Sequence, residues 1–146
     1  MSMTVRGSIA AMAISDDFDY ASFKQVSTDF SKNKLPGAAP NVVVAGLDVT
    51  SKAGCYINVT YNYVDKIALN DANSAYASSY NLLGVKMGFK NDFNRKISAE
   101  IFAGADNIFD TKYSLGNDIN AAAGRYYNAA PRRNYYIGIS FNFNNK

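Results

Sequence analysis

Histidine and tryptophan are absent from this 146-residue chain, and cysteine occurs once, as Cys55. Each absence removes chemistry. Without histidine there is no Ser-His-Asp or Cys-His arrangement, no imidazole general base, and no His-based metal or haem site. A single thiol permits no intrachain disulfide and no cysteine metal site; beside Gly54 at a strand start, Cys55 reads as a small buried or lipid-facing residue. Charged residues make up only 18% of the chain, low for a soluble domain. The net charge of +3 comes from scattered basic residues, whereas a nucleic-acid footprint needs them clustered. No run approaches the ~18 consecutive apolar residues of a membrane-spanning helix. The apolar stretch Ile9 to Ile14 after Arg6 is too short and too interrupted for a signal peptide and is read as a strand. Glu100 and Asp106 share a strand face, but their separation of roughly 20 Å rules out a carboxylate pair. No catalysis and no cofactor are expected.

Aromatics are abundant instead, at 11 Tyr and 9 Phe, together with Asn, Ser, Gly and Thr. They fall into a pattern of period two, in which alternate residues of a strand face opposite ways. In Asn134 to Phe143, residues Tyr135, Ile137, Ile139, Phe141 and Phe143 form one apolar row, and Asn134, Tyr136, Gly138, Ser140 and Asn142 a small or polar one. The same alternation runs through Thr4 to Ile14, Asn41 to Thr50, Cys55 to Tyr63, Tyr80 to Lys90 and Lys96 to Ile108. No segment has a 3.6-residue period, so little helix is expected. Strands of about ten residues are long enough to cross a bilayer at a tilt.

Connections alternate in length. Ser51 to Gly54 and Asn91 to Arg95 are hairpin turns; Asp16 to Pro40, Val64 to Ser79 and Phe109 to Pro131 are long and read as structureless. Outer-membrane barrels have this asymmetry of short periplasmic turns and long extracellular loops, and compact soluble domains rarely do. Charged strand residues oppose the apolar row, where a watery lumen accepts them. Tyr and Phe gather near strand ends, as interfacial girdles do. The expected fold is therefore all-β: an antiparallel transmembrane β-barrel segment of about six strands. A soluble antiparallel sandwich also alternates and is the competing fold.

From Leu35 onward the chain resembles the C-terminal end of TonB-dependent outer-membrane receptors. The resemblance rests on Gly104 to Tyr113, which is similar to the family's "NLFDxxY" signature after the penultimate strand. Leu35 to Pro40 resembles the proline-bearing segment before a descending strand, and Arg125 to Arg133 the approach to the terminal strand. Asn107 and Asp110 are expected to bond local backbone there, and Pro40 and Pro131 precede strands, where a missing N–H does little harm. In the terminal strand, Tyr136, Gly138, Phe141 and Phe143 resemble the signal read by the barrel-assembly machinery, although Asn144 to Lys146 follow the last Phe.

The resemblance implies uptake of a ferric chelate (siderophore) or similar nutrient across the outer membrane of a Gram-negative bacterium. Its partners would be outer-membrane lipid, the remainder of a barrel of about 22 strands, a plug domain, and the TonB complex acting through that plug. Neither plug nor TonB-contacting segment is visible, and even the smallest such barrels need roughly eight strands. The chain is thus read as a truncated product or excised C-terminal piece, with two open edges. The extracellular loop carrying Arg125, Tyr126, Tyr127, Arg132 and Arg133 suits an anionic, aromatic ligand through charge-assisted bonds and stacking. Asn70 to Asn73 and Asn117 to Asn120 are oxygen-rich enough for Ca²⁺ in principle, but are read as turn chemistry. Asn58-Val59-Thr60 matches a glycosylation acceptor by chance. A small structural or porin-like barrel, and a soluble β-sheet that binds a partner, are the alternative functions.

Overall fold

The structure, a computed structural model, describes residues 5–94 and 97–143. The expected strand starts at Thr4 and Lys96 and the tail after Phe143 lie outside them. Six long antiparallel strands form one sheet: β1 (Val5–Ser15), β4 (Asn41–Ser51), β5 (Cys55–Val64), β8 (Tyr80–Asp92), β9 (Ile97–Asp106) and β12 (Asn134–Phe143). They lie side by side in chain order. The sheet is open, with β1 and β12 as its edges, so it is not a closed barrel. The six alternating segments of the sequence become these strands to within two residues at each described end.

Register is what turns the separate alternations into one surface. Leu47 pairs with Val59, Val59 with Val85, Val85 with Ala105 and Ala105 with Tyr135. One step along, Val49, Ile57, Met87, Ala103 and Ile137 are aligned in the same way. Because strand side chains alternate, pairing apolar positions with apolar positions puts every apolar row on one face. None of the described residues covers that face. Ile137 is 76% exposed and Ile139 64%, and Met87, Ile101, Ile57 and Phe89 are exposed as well.

The opposite face is mainly polar and is filled by contacts across neighbouring strands, with Met12, Ile14 and Val44 exposed on it where β1 pairs with β4. Lys86 Nζ lies 3.5 Å from Glu100 Oε1 and 4.1 Å from the centre of the Phe102 ring. The Tyr56 hydroxyl donates to Glu100, and Asn58 Nδ2 donates to Asp48 Oδ1 at 2.5 Å. Three rings on this face lie over glycines directly opposite them: Tyr56 over Gly88, Phe102 over Gly138 and Tyr136 over Gly104. A methyl group on any of these glycines would overlap the ring above it.

At one end the strands are joined tightly. Gly54 closes the turn after β4 with φ +95, a left-handed conformation that glycine adopts without a Cβ clash, and its N–H donates to Ser51 O at 3.0 Å. At the other end stand the three long loops, over residues 16–40, 65–79 and 107–133. They are not structureless. Each carries its own two-stranded ribbon: β2 (Lys24–Gln25) with β3 (Thr28–Asp29), β6 (Ile67–Ala68) with β7 (Tyr76–Ala77), and β10 (Ser114–Asn117) with β11 (Tyr127–Ala129). A single 3₁₀ turn, Ala122–Gly124, is the one helical element among the described residues. Short ribbons inside loops escape a sequence reading because two to four residues are too few to show a period.

Candidate functional site

The long loops pack on one another into a cap, and the buried apolar side chains of the described residues are here rather than in the sheet. Leu69 is fully buried, with Ala68 and Ala77 beside it. The loops are clasped through asparagine and aspartate. Asp71 accepts the Tyr20 hydroxyl at 2.7 Å and Asn120 Nδ2 at 2.9 Å, while its N–H donates to Asn120 Oδ1 at 3.1 Å. Asn73 Oδ1 accepts Lys34 N–H at 2.7 Å, and Asn73 Nδ2 donates back to Lys34 O at 2.9 Å. Asn120 N–H donates to Leu69 O and Gly37 N–H to Ala68 O, each at 2.9 Å. Hydrogen bonding to the Asp71 carboxylate raises the Tyr20 hydroxyl above its ordinary pKa.

The two oxygen-rich clusters, Asn70 to Asn73 and Asn117 to Asn120, therefore meet through Asp71 and Asn120, while Asn73 reaches the first loop at Lys34. Asn73 and Asn120 both sit at positive φ, 51 and 53, a region that asparagine tolerates better than most residues. No group of three or more His, Cys, Asp or Glu side chains converges as a metal site among the described residues.

The neck of the third loop is fixed by the signature segment. Asn107, 6% exposed, has φ 50, and this left-handed turn ends β9 at Asp106 before the expected Ile108. Its side chain accepts Thr111 N–H at 2.9 Å and donates to Thr111 O at 2.8 Å, as expected of a local backbone bond. Asp110 reaches further. It takes Arg132 Nε at 2.8 Å and the Arg133 N–H at 3.1 Å from across the neck. The Arg132 hydrogen bonds, then the Arg133 N–H, hold the Asp110 carboxyl down at about 2. Both ends of the loop are thus pinned where it leaves the sheet.

The loop residues singled out as ligand contacts are divided by this geometry. Arg132 is at the neck, bidentate on Asp110. Arg125 is exposed at the loop tip and makes no side-chain hydrogen bond or ion pair among the described residues. Tyr126 and Tyr127 meet edge to face, centroids 6.5 Å apart. The Tyr126 hydroxyl accepts Asn70 Nδ2 at 3.4 Å, and the Tyr127 hydroxyl donates to Tyr76 O at 3.3 Å. Of these residues, only Tyr127 lines the cleft that opens between the second and third loops.

That cleft has a volume of about 440 Å³, within the range of small-molecule sites. Its walls are Tyr80, Tyr113, Tyr127, Ile67, Leu115 and Asn117, with Lys112 exposed among its lining residues. Tyr80 and Tyr113 pack ring against ring at 5.0 Å. Sequence reasoning placed Tyr80 in an aromatic girdle and Tyr113 at the end of the signature, and gave neither a binding role. The loop ribbons bring them together, and no periodic signal announces those ribbons. The terminal-strand residues separate by face. Tyr136 and Gly138 take part in the ring-on-glycine contacts, whereas Phe141 and Phe143 stand exposed on the apolar face. No protein-family model matches the chain.

Proposed function

We propose that the six long strands span an outer membrane as the closing portion of a TonB-dependent receptor, with the cap outside and the tight turns in the periplasm. One observation carries this reading: a single apolar face runs in phase across the sheet and is left bare. Soluble monomers rarely expose an apolar patch beyond a few hundred Å², but a bilayer solvates one. Strands of 10 to 13 residues rise about 33–43 Å, enough to cross the hydrocarbon core at the tilt of a barrel. The polar face, with Lys86, Glu100 and Tyr56, suits a watery lumen. The open edges at β1 and β12 are where further strands of the barrel would join. In this reading the loops receive a ferric chelate or similar nutrient, and the TonB complex acts on a plug supplied by other residues. Nothing in it requires chemistry on the ligand.

The test is to fold the chain with and without phosphatidylcholine vesicles. The reading expects β-structure that is vesicle-bound and protease-protected at the strands, and aggregation in plain buffer. A monodisperse, β-rich monomer in buffer would sink it.

A further inference from the structure

The two outer strands of the sheet lack what usually guards a free edge. Natural edges are cut short, bulged, or marked with lysine or proline, because an unguarded edge pairs with another chain. β12 has neither a charged residue nor a proline in its ten positions, and β1 has Arg6 alone in its eleven. Their described ladders run without a bulge. The two edges also run in opposite directions, because six antiparallel strands lie in order between and including them. β12 of one copy can therefore meet β1 of another antiparallel, with both caps on the same side. A half-turn about the barrel axis makes the second seam identical to the first, and a rotation that closes in this way leaves no edge.

We propose that two copies of this chain close a barrel of twelve strands, β12 of each paired with β1 of the other. The register follows from the sheet itself. Ile9 is aligned through Leu47, Val59, Val85 and Ala105 with Tyr135. Ile9 lies four residues from the turn end of β1 and Tyr135 eight from that of β12, so the line climbs by about one residue per strand. A barrel with that shift has strands tilted by about 36°, and six strands carry the line from Ile9 to Ser15 of the second copy. The step is even, so the apolar row stays outside. Ile137 then opposes Ala13 and Ile139 opposes Ala11, bulky side chains against small ones. On the other face Tyr136 opposes Ile14 and Gly138 opposes Met12. The Phe102 ring lies over Gly138, so the seam sets that ring beside the Met12 thioether, a favourable pairing. Met12 and Ile14, 58% and 51% exposed on the otherwise polar face, are thereby covered. Two seams about 30 Å long and about 10 Å deep remove about 1,200 Å² of surface, the size of a stable interface. The assignment rests on the membrane-spanning reading and makes a second copy the source of the strands that join both edges.

The experiment uses the full chain folded in detergent micelles, with Cys55→Ala removing the native thiol from the linkage variants. Ala10→Cys and Ser140→Cys in one chain should give a disulfide-linked dimer under mild oxidation. Ala10→Cys with Asn142→Cys should give at least about tenfold less, since an offset of two residues takes the Cα atoms beyond disulfide reach. Either single variant should stay unlinked, because like edges do not meet. For the unmodified chain, sedimentation equilibrium should give twice the mass of one chain. Its outward amides of β1 and β12 should resist hydrogen exchange as those of β5 do, whereas at an open edge they exchange freely. A folded monomer in micelles, equal linkage at both spacings, or linkage of a single variant to itself would overturn the seams and leave the membrane reading standing. A monodisperse, β-rich monomer in buffer would instead sink the membrane reading, and the seams with it.

Discussion

Leu69, at the centre of the loop cap, is fully buried, while Ile137, at the middle of a strand, is 76% exposed. The usual arrangement, sheet inside and loops outside, is inverted. The cap is a small water-type structure, with a buried leucine and alanines, Asx clasps at left-handed residues, and loops tied across 38 to 51 positions of sequence. The sheet has ladder hydrogen bonds and a largely polar face of interlocking side chains, but its apolar face is packed against none of the described residues. One region obtains its apolar packing from itself; the other leaves its apolar side chains exposed.

Three substitutions would break or sharpen that contrast. The largest effect belongs to Leu69→Ala, which removes the one large, fully buried side chain of the described residues and should cost the cap about 2–5 kcal/mol. Proteolysis should then cut within residues 65–79 while the strands keep their amide protection; simultaneous loss of both would show that cap and sheet are one cooperative unit. Next comes Ile139→Lys. On the apolar face of a membrane sheet it should cost about 2–4 kcal/mol near the bilayer midplane, read as a shift in the urea midpoint of vesicle-bound chain. In water the same exposed position would be close to neutral, within about 0.5 kcal/mol, so an unchanged midpoint would contradict the lipid contact.

The smallest effect is at the neck that joins the two regions. Asp110 has its folded pKa depressed from 3.8 to about 2. Its contribution is therefore complete above about pH 4 and lost as pH falls towards 2. A carboxyl carbon-13 titration should place the Asp110 midpoint near 2, and Arg132→Gln should return it towards 3.8. A wild-type midpoint at the ordinary value would mean that the ion pair does not hold the neck.

The contrast also explains what could be read from the sequence. The long strands were legible because one apolar face opposite one polar face imposes a period of two over ten residues, long enough to count. Their phase was legible too, since Val49, Ile57, Met87, Ala103 and Ile137 each stand out within their own strand. The cap was not. Leu69 is an ordinary leucine among Ala, Asn and Asp, and nothing local says that it meets the third loop through Asn120 N–H. Arg132 looked like a ligand cation because arginine beside tyrosine suits anions, but a carboxylate 22 residues earlier claims it. Asn117 looked like turn chemistry, and that its buried Oδ1 has no hydrogen-bond partner among the described residues emerges only when β10 pairs with β11.

The rings lying over glycines have a consequence for how the sheet finds its alignment. An alternating strand that slides by two residues against its neighbour keeps its apolar row on the correct face, so hydrophobicity cannot detect the error. Sliding β12 by two against β9 would bring Tyr136 opposite Phe102 or Asp106 in place of Gly104. Bulk would meet bulk, and Gly138 would leave the Phe102 ring. Tyr56, Phe102 and Tyr136 thus act as wards in a lock, each admitting a single glycine notch, and they supply the absolute address that a repeating two-residue pattern lacks.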